Sequence, residues 1–240
     1  MHDRATHAYF DTFTPNFAPE RFEFALSFLR GAAADARLID VGCGDGATLW
    51  MIKNNAPIAS LTGMDISENY LGKAARSVGC ETIHGSILDA DLVARHAASF
   101  DFCVLGAVLH HLIGFNRRQC RKAATECLRN ALMLVKPGGH VLIFEPTHGP
   151  APLMTAVFYL KKLVGSLFSR RVEILRRWAN LGQPVVSYYT AGQLDEMVAD
   201  LPNARVISRA VVDESRMGIL IQRKGIGLIV QNAQSRALAA

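Results

Sequence analysis

The sequence lacks several features that would place the protein in particular classes. It contains no run of about 18 uninterrupted apolar residues, so no membrane-spanning helix is predicted. The opening residues, MHDRATHAYF, have no apolar stretch after their charges, so no secretory signal peptide is predicted. The 5 cysteines include no CxxC pair and no Cys/His group with zinc-ligand spacing. We therefore expect reduced thiols, no metal and a cytoplasmic location.

Extreme charge and low-complexity tracts are absent as well. The formal net charge of +5 over 240 residues is mildly basic, which permits an anionic partner without requiring one. With 50% hydrophobic residues, the chain is expected to form one large domain, or one domain with a lid, whose core needs no disulfide or metal.

Short apolar segments alternate with amphipathic ones from Arg37 onward. Strands are predicted at Arg37–Val41, Ser60–Asp65, Glu81–His84, Phe100–Gly106 and His140–Glu145, with helices between them. Strict alternation indicates a parallel sheet with helices on both faces. In such sheets ligands bind beyond the carboxyl ends of the strands, so the residues that follow each strand form the candidate site.

After the fifth strand the alternation is interrupted and then resumes. Residues 150–183 are apolar and basic and are predicted to form inserted helices. Thr190 is the predicted N-cap of a helix that ends at Ala199. Arg205–Val211 and Met217–Arg223 are predicted to form an antiparallel hairpin around a polar turn at 213–216.

The strongest local feature is a glycine-rich turn between the first strand and its helix. The segment Asp40-Val-Gly-Cys-Gly-Asp-Gly46 lets the backbone adopt positive φ and approach a ligand closely. Asp40 suits a cationic ligand group and would repel a pyrophosphate. The third glycine stands one residue earlier than in the dinucleotide fingerprint, which argues against NAD. An ordinary strand–helix turn is the alternative.

A second acidic residue, Asp65, ends the second predicted strand. It lies about 20 residues beyond the glycine-rich turn, where a carboxylate can accept hydrogen bonds from both hydroxyls of a ribose. The alternative is an N-cap for the predicted helix Glu68–Val78. Both roles can be filled together, with Ser67 as the cap and Asp65 as the ligand.

Four segments occur in the order and spacing of a known family. They are Asp40-Val-Gly-Cys-Gly-Asp-Gly46, Gly63-Met-Asp-Ile-Ser67, Phe100-Asp-Phe-Cys-Val-Leu-Gly-Ala-Val-Leu-His-His-Leu112 and Leu134-Val-Lys-Pro-Gly-Gly-His-Val-Leu-Ile143. With them the chain resembles the class I S-adenosylmethionine-dependent methyltransferases of the small-molecule type. The resemblance is close over 37–145 and looser over 190–223.

The predicted fold is α/β, a doubly wound, mostly parallel seven-stranded sheet with an antiparallel last strand and a helical lid insert. The chain is divided into an N-terminal helical cap segment (1–36), a Rossmann-like cofactor-binding core (37–146) and a lid insert (147–189). A C-terminal completion of the sheet (190–224) and a tail (225–240) follow.

The resemblance implies a cofactor-binding set: Asp40, Gly42, Cys43, Gly44, Asp65, Ile66, Ser86, Ile87, Leu105 and Gly106. Asp40 and the glycine backbone would hold the methionine portion of S-adenosylmethionine, and Asp65 would bind the ribose. Ile66 would pack on the adenine. Many relatives have an aspartate where this chain has Ser86, which can still accept one hydrogen bond from the adenine amino group. Gly106 would lie beside the sulfonium.

Methyl transfer needs a general base only if the nucleophile must lose a proton, because the sulfonium is already a good leaving group. His110 and His111 follow the fourth strand and Glu145 ends the fifth, so they are the candidate catalytic residues. Packing or hydrogen bonding under the loop is the alternative for the histidines. A cap or an ion pair is the alternative for Glu145.

The lid insert is expected to select the acceptor. Its apolar side chains predict a small-molecule substrate, with Tyr9, Tyr188 and Tyr189 as candidate pocket residues. A basic amphipathic surface at 150–183 could instead make a peripheral membrane contact and reach a lipid. RNA methylation is less favoured, since no Asn-Pro-Pro-Tyr-type motif follows the fourth strand. A non-catalytic binding module is the remaining alternative.

Overall fold

The computed structural model describes residues 22–167, 185–217 and 221–234. Within these residues, seven strands form one sheet: β1 (Arg37–Val41), β2 (Ser60–Asp65), β3 (Glu81–His84), β4 (Phe100–Gly106), β5 (Val135–Gly149), β6 (Ala204–Met217) and β7 (Ile221–Asn232). The helices are α1 (Glu23–Leu29), α2 (Ala47–Asn55), α3 (Glu68–Val78), α4 (Ala90–Arg95), α5 (Arg117–Leu134), α6 (Ala151–Leu167) and α7 (Ala191–Ala199). A 3₁₀ turn at Leu109–His111 follows β4.

The sheet has the strand order β3-β2-β1-β4-β5-β7-β6. β1 is parallel to β2 and β4, and β4 is parallel to β5, whereas β7 is antiparallel to both of its neighbours. The predicted doubly wound sheet with an antiparallel last strand is therefore confirmed. Because the direction of strand order reverses between β1 and β4, a crevice lies beyond the carboxyl ends of these two strands.

The apolar strands divide their side chains between two cores, because successive side chains of a strand point to opposite faces. In β1, Leu38 packs with α1, α2 and α3, while Ile39 packs with α4, α5 and α7. Leu142 and Ile143 of β5 divide in the same way. Burial on both faces explains why these strands are continuous apolar runs in the sequence.

Two predicted helix starts are confirmed by their hydrogen bonds. Ser67 Oγ accepts a hydrogen bond from the Tyr70 N–H at 3.3 Å, so Ser67 is the cap of α3. Thr190 and Gln193 form a capping box at the start of α7, in which each side chain accepts from the other residue's N–H, at 3.2 and 3.1 Å. Local sequence chemistry thus sets where both helices begin.

The C-terminal hairpin is longer than predicted, and its turn lies elsewhere. The predicted turn residues belong to β6, where Asp213 pairs with Gly225 and Glu214 pairs with Lys224. The connection between the strands falls at 218–220, outside the described residues. Polar residues are tolerated in this part of β6 because it is the last strand of the sheet and one of its sides is unpaired.

The predicted tail begins too early, because β7 runs to Asn232. Gly225 and Gly227 make the composition of this segment loop-like. In the structure the ring of Phe24 covers Gly227, and a Cβ on that glycine would lie 2.6 Å from the ring. Glycine in a strand often marks such a close approach. The C-terminal part of the sheet therefore ends at residue 232 and not at the predicted residue 224.

The first residues of the predicted lid insert belong to the sheet. β5 extends to Gly149, so the first residues of the predicted insert pair with β7, and α6 follows at Ala151. Residues 168–184 and 1–21 lie outside the described residues. Every helix in the described ranges is too short or too polar to cross a lipid bilayer.

Replacing Thr190 with alanine removes the side-chain acceptor that caps α7. We expect the free energy of unfolding to fall by about 1 kcal/mol, which is the usual contribution of an N-cap hydroxyl. Urea denaturation followed by circular dichroism measures this change. Thr190→Ser keeps the hydroxyl and is the matched control, and an equal loss in both variants would contradict the capping role.

Candidate functional site

The glycine-rich turn after β1 borders an open space at the carboxyl edge of the sheet. Gly42 and Gly44 have φ values of 71° and 54°, a left-handed conformation that other residues adopt only with strain. A Cβ on Gly44 would meet no other part of the described protein within 4 Å. A Cβ on Gly42 would lie 2.8 Å from Val108 Cγ2, in the loop after β4. The turn therefore packs on that loop and leaves room for a ligand at Gly44.

Asp65 joins this turn to the start of α3. Its Oδ2 accepts a hydrogen bond from the Gly44 N–H at 3.0 Å, and its Oδ1 accepts one from the Ser67 N–H at 2.9 Å. Burial raises the pKa of Asp65, and these N–H groups oppose the rise. Each carboxylate oxygen can accept a second hydrogen bond, so Asp65 keeps the capacity to bind two hydroxyl groups.

Asp40 is a second acid in the same crevice. Its exposed fraction is only 2%, and no hydrogen bond to its carboxyl group is found among the described residues. Burial, and then the charge of Asp65, raise the pKa of Asp40 well above its ordinary value. A positively charged ligand group placed beside two buried acids would favour their ionised forms. The crevice is thus suited to a cationic ligand, as the sequence predicts.

Three of the other predicted cofactor residues lie at the surface of the crevice or its rim. Gly106 is half-buried at the end of β4, and a Cβ there would meet only Thr48 Oγ1, at 4.0 Å. Ile66 is half-buried beside the acid that precedes it. Ser86 accepts a hydrogen bond from the Leu88 N–H at 3.2 Å, so its hydroxyl already shapes its own turn.

Cys43, Ile87 and Leu105 direct their side chains into the core. The sulfur of Cys43 faces Gly63, where a Cβ would lie 2.7 Å from it. The carbonyl of Ile87 accepts a hydrogen bond from Asn130 Nδ2 at 2.7 Å. These three residues can therefore contact a ligand through their main chain, and their side chains serve packing.

Glu145 and His110 form a buried pair where β5 and the loop after β4 meet. His110 Nδ1 lies 2.5 Å from Glu145 Oε1. The same carboxyl group accepts hydrogen bonds from the His110 N–H at 3.1 Å and from the Leu109 N–H at 3.2 Å. Glu145 therefore caps the 3₁₀ turn, which is the first alternative considered for this acid, and forms a hydrogen bond with the histidine within that turn.

Burial shifts both members of this pair toward their neutral forms. It raises the pKa of Glu145 to about 8. Burial, followed by the positive charge of Arg223, lowers the pKa of His110 to about 3. At neutral pH the imidazole is therefore uncharged, but a pKa this low makes it a weak base, so proton transfer to it becomes favourable only when a bound anionic group raises its pKa.

Aromatic rings surround His110. The ring centroid of His111 lies 4.1 Å from that of His110, and the Tyr188 centroid lies 5.4 Å from it. Tyr188 also packs on His148, with centroids 3.9 Å apart. The structure thus brings Tyr188 to the candidate catalytic residues, whereas Tyr189 is buried in the core with 1% exposure.

Sequence patterns do not reveal three further residues of this site: Arg117, His148 and Arg223. The guanidinium of Arg117 donates to Ser187 Oγ at 2.5 Å and to the Tyr188 carbonyl at 2.6 Å. Its partners are 70 or more residues away in the chain, so no local sequence pattern predicts the contact.

Tyr9, the remaining predicted pocket residue, lies outside the described residues. Among those described, no metal-ligating cluster of His, Cys, Asp or Glu is found.

Residues 39–141 match the model of a family described as a methyltransferase domain. The chain is 28% identical over 119 residues to a tRNA (carboxymethyluridine(34)-5-O)-methyltransferase of Mus musculus, covering 50% of this chain and 16% of that protein. It is 30% identical over 115 residues to ribosomal RNA small subunit methyltransferase C of Mannheimia succiniciproducens, covering 48% and 33%. The chain therefore matches a third or less of the length of these two relatives.

Solved structures share the fold at low identity. The N-methyltransferase NodS from Bradyrhizobium japonicum WM9, in complex with S-adenosyl-l-homocysteine, is 14% identical with a TM-score of 0.59, covering 97% of this chain and 100% of that one. A SAM-dependent methyltransferase from Methanosarcina mazei is 19% identical with a TM-score of 0.57, covering 85% and 95%. At these identities the likeness establishes the fold alone.

Replacing Asp65 with asparagine tests the crevice as a nucleoside site. We expect the affinity for S-adenosylhomocysteine, measured by calorimetry, to fall at least about tenfold, because a charged acceptor of two hydroxyls is lost. Asp89→Asn is the matched control, since Asp89 accepts two backbone N–H groups at the start of α4. Gly44→Val should also abolish binding by filling the open space. Unchanged affinity in both site variants would refute the assignment.

The Glu145–His110 pair predicts opposing contributions to stability as the pH changes. Between the ordinary glutamate pKa of 4.5 and about 8, the folded state holds the extra proton, so stability falls as the pH rises. Between about 3 and the ordinary histidine pKa of 6.5, the unfolded state holds the extra proton, so stability rises with pH. The two contributions offset each other from pH 4.5 to 6.5, which leaves the fall due to Glu145 from 6.5 to 8.

Glu145→Gln removes the group responsible for that fall. Between pH 6.5 and 8 the unsubstituted protein should lose about 2 kcal/mol of unfolding free energy relative to this variant. Urea denaturation at both pH values measures the difference. Glu196→Gln, at an exposed ion pair with Arg121, is the control. If the difference in unfolding free energy between the unsubstituted protein and Glu145→Gln stays constant with pH, Glu145 is ionised throughout this pH range.

Proposed function

We propose that the chain carries a class I S-adenosylmethionine-dependent methyltransferase domain and transfers the methyl group of this cofactor to O, N or C of a small metabolite, as the match of residues 39–141 to a methyltransferase domain supports. One observation carries the proposal. The acid-lined crevice follows the ends of β1 and β2, and the His110–Glu145 pair lies where β4 ends beside β5, so both are at the carboxyl ends of parallel strands of one sheet. This arrangement supports a cofactor site with a proton-accepting group next to it.

Asp40, Asp65 and Gly44 fit the proposed cofactor. The open space at Gly44 allows a ligand to approach the backbone, and the buried carboxyl group of Asp40 has no hydrogen-bond partner in the described chain. Asp65 would bind the ribose hydroxyls with its remaining acceptor capacity. When bound, S-adenosylmethionine supplies a methyl group on a positively charged sulfur. Two acids beside that charge favour its binding over that of a neutral nucleoside.

His110 is the proposed proton acceptor for substrates that must lose a proton. Its Nδ1 is occupied by Glu145, so Nε2 is the nitrogen that would accept the proton. Glu145 is a positioning residue, because it orients the ring, and above about pH 8, where it is ionised, it would also stabilise the imidazolium that forms. His111 lies next to His110 and is half-buried, which makes it the second candidate base.

Enclosure of the acceptor side supports a small-molecule substrate. The Ser187 N–H donates to the His110 carbonyl at 2.8 Å, and the His148 N–H donates to the Tyr189 carbonyl at 2.8 Å. These bonds hold the segment 185–190 across the loop after β4. α6 follows directly from β5, with Phe158 buried at 1% exposure. A segment held across the candidate base on one side favours a small ligand.

Methylation of RNA is the second candidate, because the two curated relatives act on transfer RNA and ribosomal RNA. A lipid acceptor reached through a peripheral membrane contact is supported by the exposure of Leu160 and Leu163 on α6, at 53% and 56%. A binding module without catalysis would bind the cofactor product and turn over no acceptor.

Transfer of radiolabelled methyl from S-adenosylmethionine to three acceptor pools distinguishes these functions. The pools are an ultrafiltered metabolite extract, purified tRNA with ribosomal subunits, and anionic lipid vesicles. We expect label in the metabolite pool, and a rate about 100-fold lower in His110→Gln, since loss of a general base has at least this effect. The affinity for S-adenosylhomocysteine should be unchanged in that variant.

His140→Gln is the matched control, because His140 packs on Phe28 and Phe102 at the opposite edge of the sheet. Label in RNA or in vesicles would replace the small-molecule acceptor with that class. Absence of label in every pool, with intact binding of the cofactor product, would identify a binding module.

A further inference from the structure

A half-buried arginine lies near the proposed proton acceptor. Arg223 of β7 is the register partner of His148 in β5. Arg223 Nε and His148 Nδ1 are buried, and neither has a hydrogen-bond partner in the described part of the chain. Leaving a buried polar group unsatisfied is costly, so two such atoms at paired positions indicate a missing binding partner.

Two acids on the strands that flank Arg223, Glu145 of β5 and Glu214 of β6, have other partners. Both oxygens of Glu145 accept hydrogen bonds from the 3₁₀ turn that contains His110. Glu214 lies 3.3 Å from Lys224 Nζ and accepts a hydrogen bond from Gln222 Nε2. Within the described ranges no carboxylate forms an ion pair with Arg223, so its charge is uncompensated by the protein there.

The charge of Arg223 reaches the candidate catalytic residues. After burial itself, it is the largest cause that lowers the pKa of His110 to about 3 and that of His148 to about 4. The neighbouring imidazoles are therefore neutral at physiological pH, so the positive charge beside them is that of Arg223. A desolvated guanidinium is stabilised when an anion binds to it.

We propose that Arg223 binds a carboxylate of the methyl acceptor, so that the substrate is a small aromatic acid. The proposal rests on the methyltransferase function proposed above. The planar guanidinium matches a carboxylate with two parallel hydrogen bonds. Tyr188 provides the aromatic surface, since its ring packs on His148 at 3.9 Å and stacks on His110 at 5.4 Å between centroids. This ring links the cation to the proton acceptor.

Benzoate is the probe for this pocket, and benzamide is its uncharged counterpart of the same shape. Each is titrated by calorimetry into the full chain, with and without saturating S-adenosylhomocysteine. We expect benzoate to bind and benzamide to bind at least tenfold more weakly. Arg223→Gln should weaken benzoate binding at least tenfold, and Arg223→Lys should have an intermediate effect because it keeps the charge without the planar fork.

Lys224→Gln is the matched control, since it removes the same charge from the adjacent residue, whose partner is Glu214. Four results would each overturn the proposal. The first two are that Arg223→Gln binds benzoate as tightly as the unsubstituted protein does, or that the unsubstituted protein binds benzamide as tightly as benzoate. The other two are that Lys224→Gln weakens benzoate binding as much as Arg223→Gln does, or that benzoate does not bind at all. If circular dichroism shows that Arg223→Gln fails to fold, the benzoate affinity of Arg223→Lys and the comparison of benzoate with benzamide still test the proposal.

The two proposals fail separately. Absence of S-adenosylhomocysteine binding to the unsubstituted protein would defeat the methyltransferase function, while the benzoate titration without cofactor product still tests the pocket. Intact binding of S-adenosylhomocysteine in Arg223→Gln, together with lost benzoate binding, is the result expected if both are correct.

Discussion

The contacts of Asp65 with the Gly44 and Ser67 N–H groups hold the candidate site together. A parallel sheet brings the ends of its strands to one edge, but its ladder hydrogen bonds stop where the strands stop. The loops beyond need another connection, and a carboxylate with two oxygens can join two of them. Glu145 does the same on the other side of the crevice, where it binds the N–H groups of the 3₁₀ turn.

These acids show that structural and functional roles are combined in the same groups. Burial raises the pKa of Asp65 and of Glu145, while backbone N–H donors oppose the rise. The donors are already hydrogen-bonded to the protein's own carboxyl groups, so we expect the loops to need little rearrangement when a ligand arrives. Preorganisation of this kind reduces the entropy that binding would otherwise cost. It also means that alanine substitutions at these positions would disturb the loops along with the chemistry, which is why amide substitutions are more informative.

Prediction from the sequence succeeds where the signal is local. Patterns within a few residues predict β1 to β4, the capping residues Ser67 and Thr190, and the glycine-rich turn, whereas β5 is longer at both ends than the predicted His140–Glu145. Prediction fails where a distant residue decides the local structure. Gly227 belongs to a strand because Phe24 covers it. In the same way, Arg223 and His148 become neighbours only through the pairing of β7 with β5, which neither segment shows on its own.

The position of β7 between β5 and β6 has a consequence for the order of assembly. β6 precedes β7 in the chain, yet its pairing in the described sheet is with β7 and not with β5. During synthesis on the ribosome, β6 therefore emerges before the strand that it needs. Until β7 is available, the edge of β5 is unpaired and its backbone N–H and carbonyl groups are open to other chains. A nascent chain stalled before residue 221 would thus have a complete glycine-rich turn but an unprotected sheet, the kind of intermediate on which chaperones act.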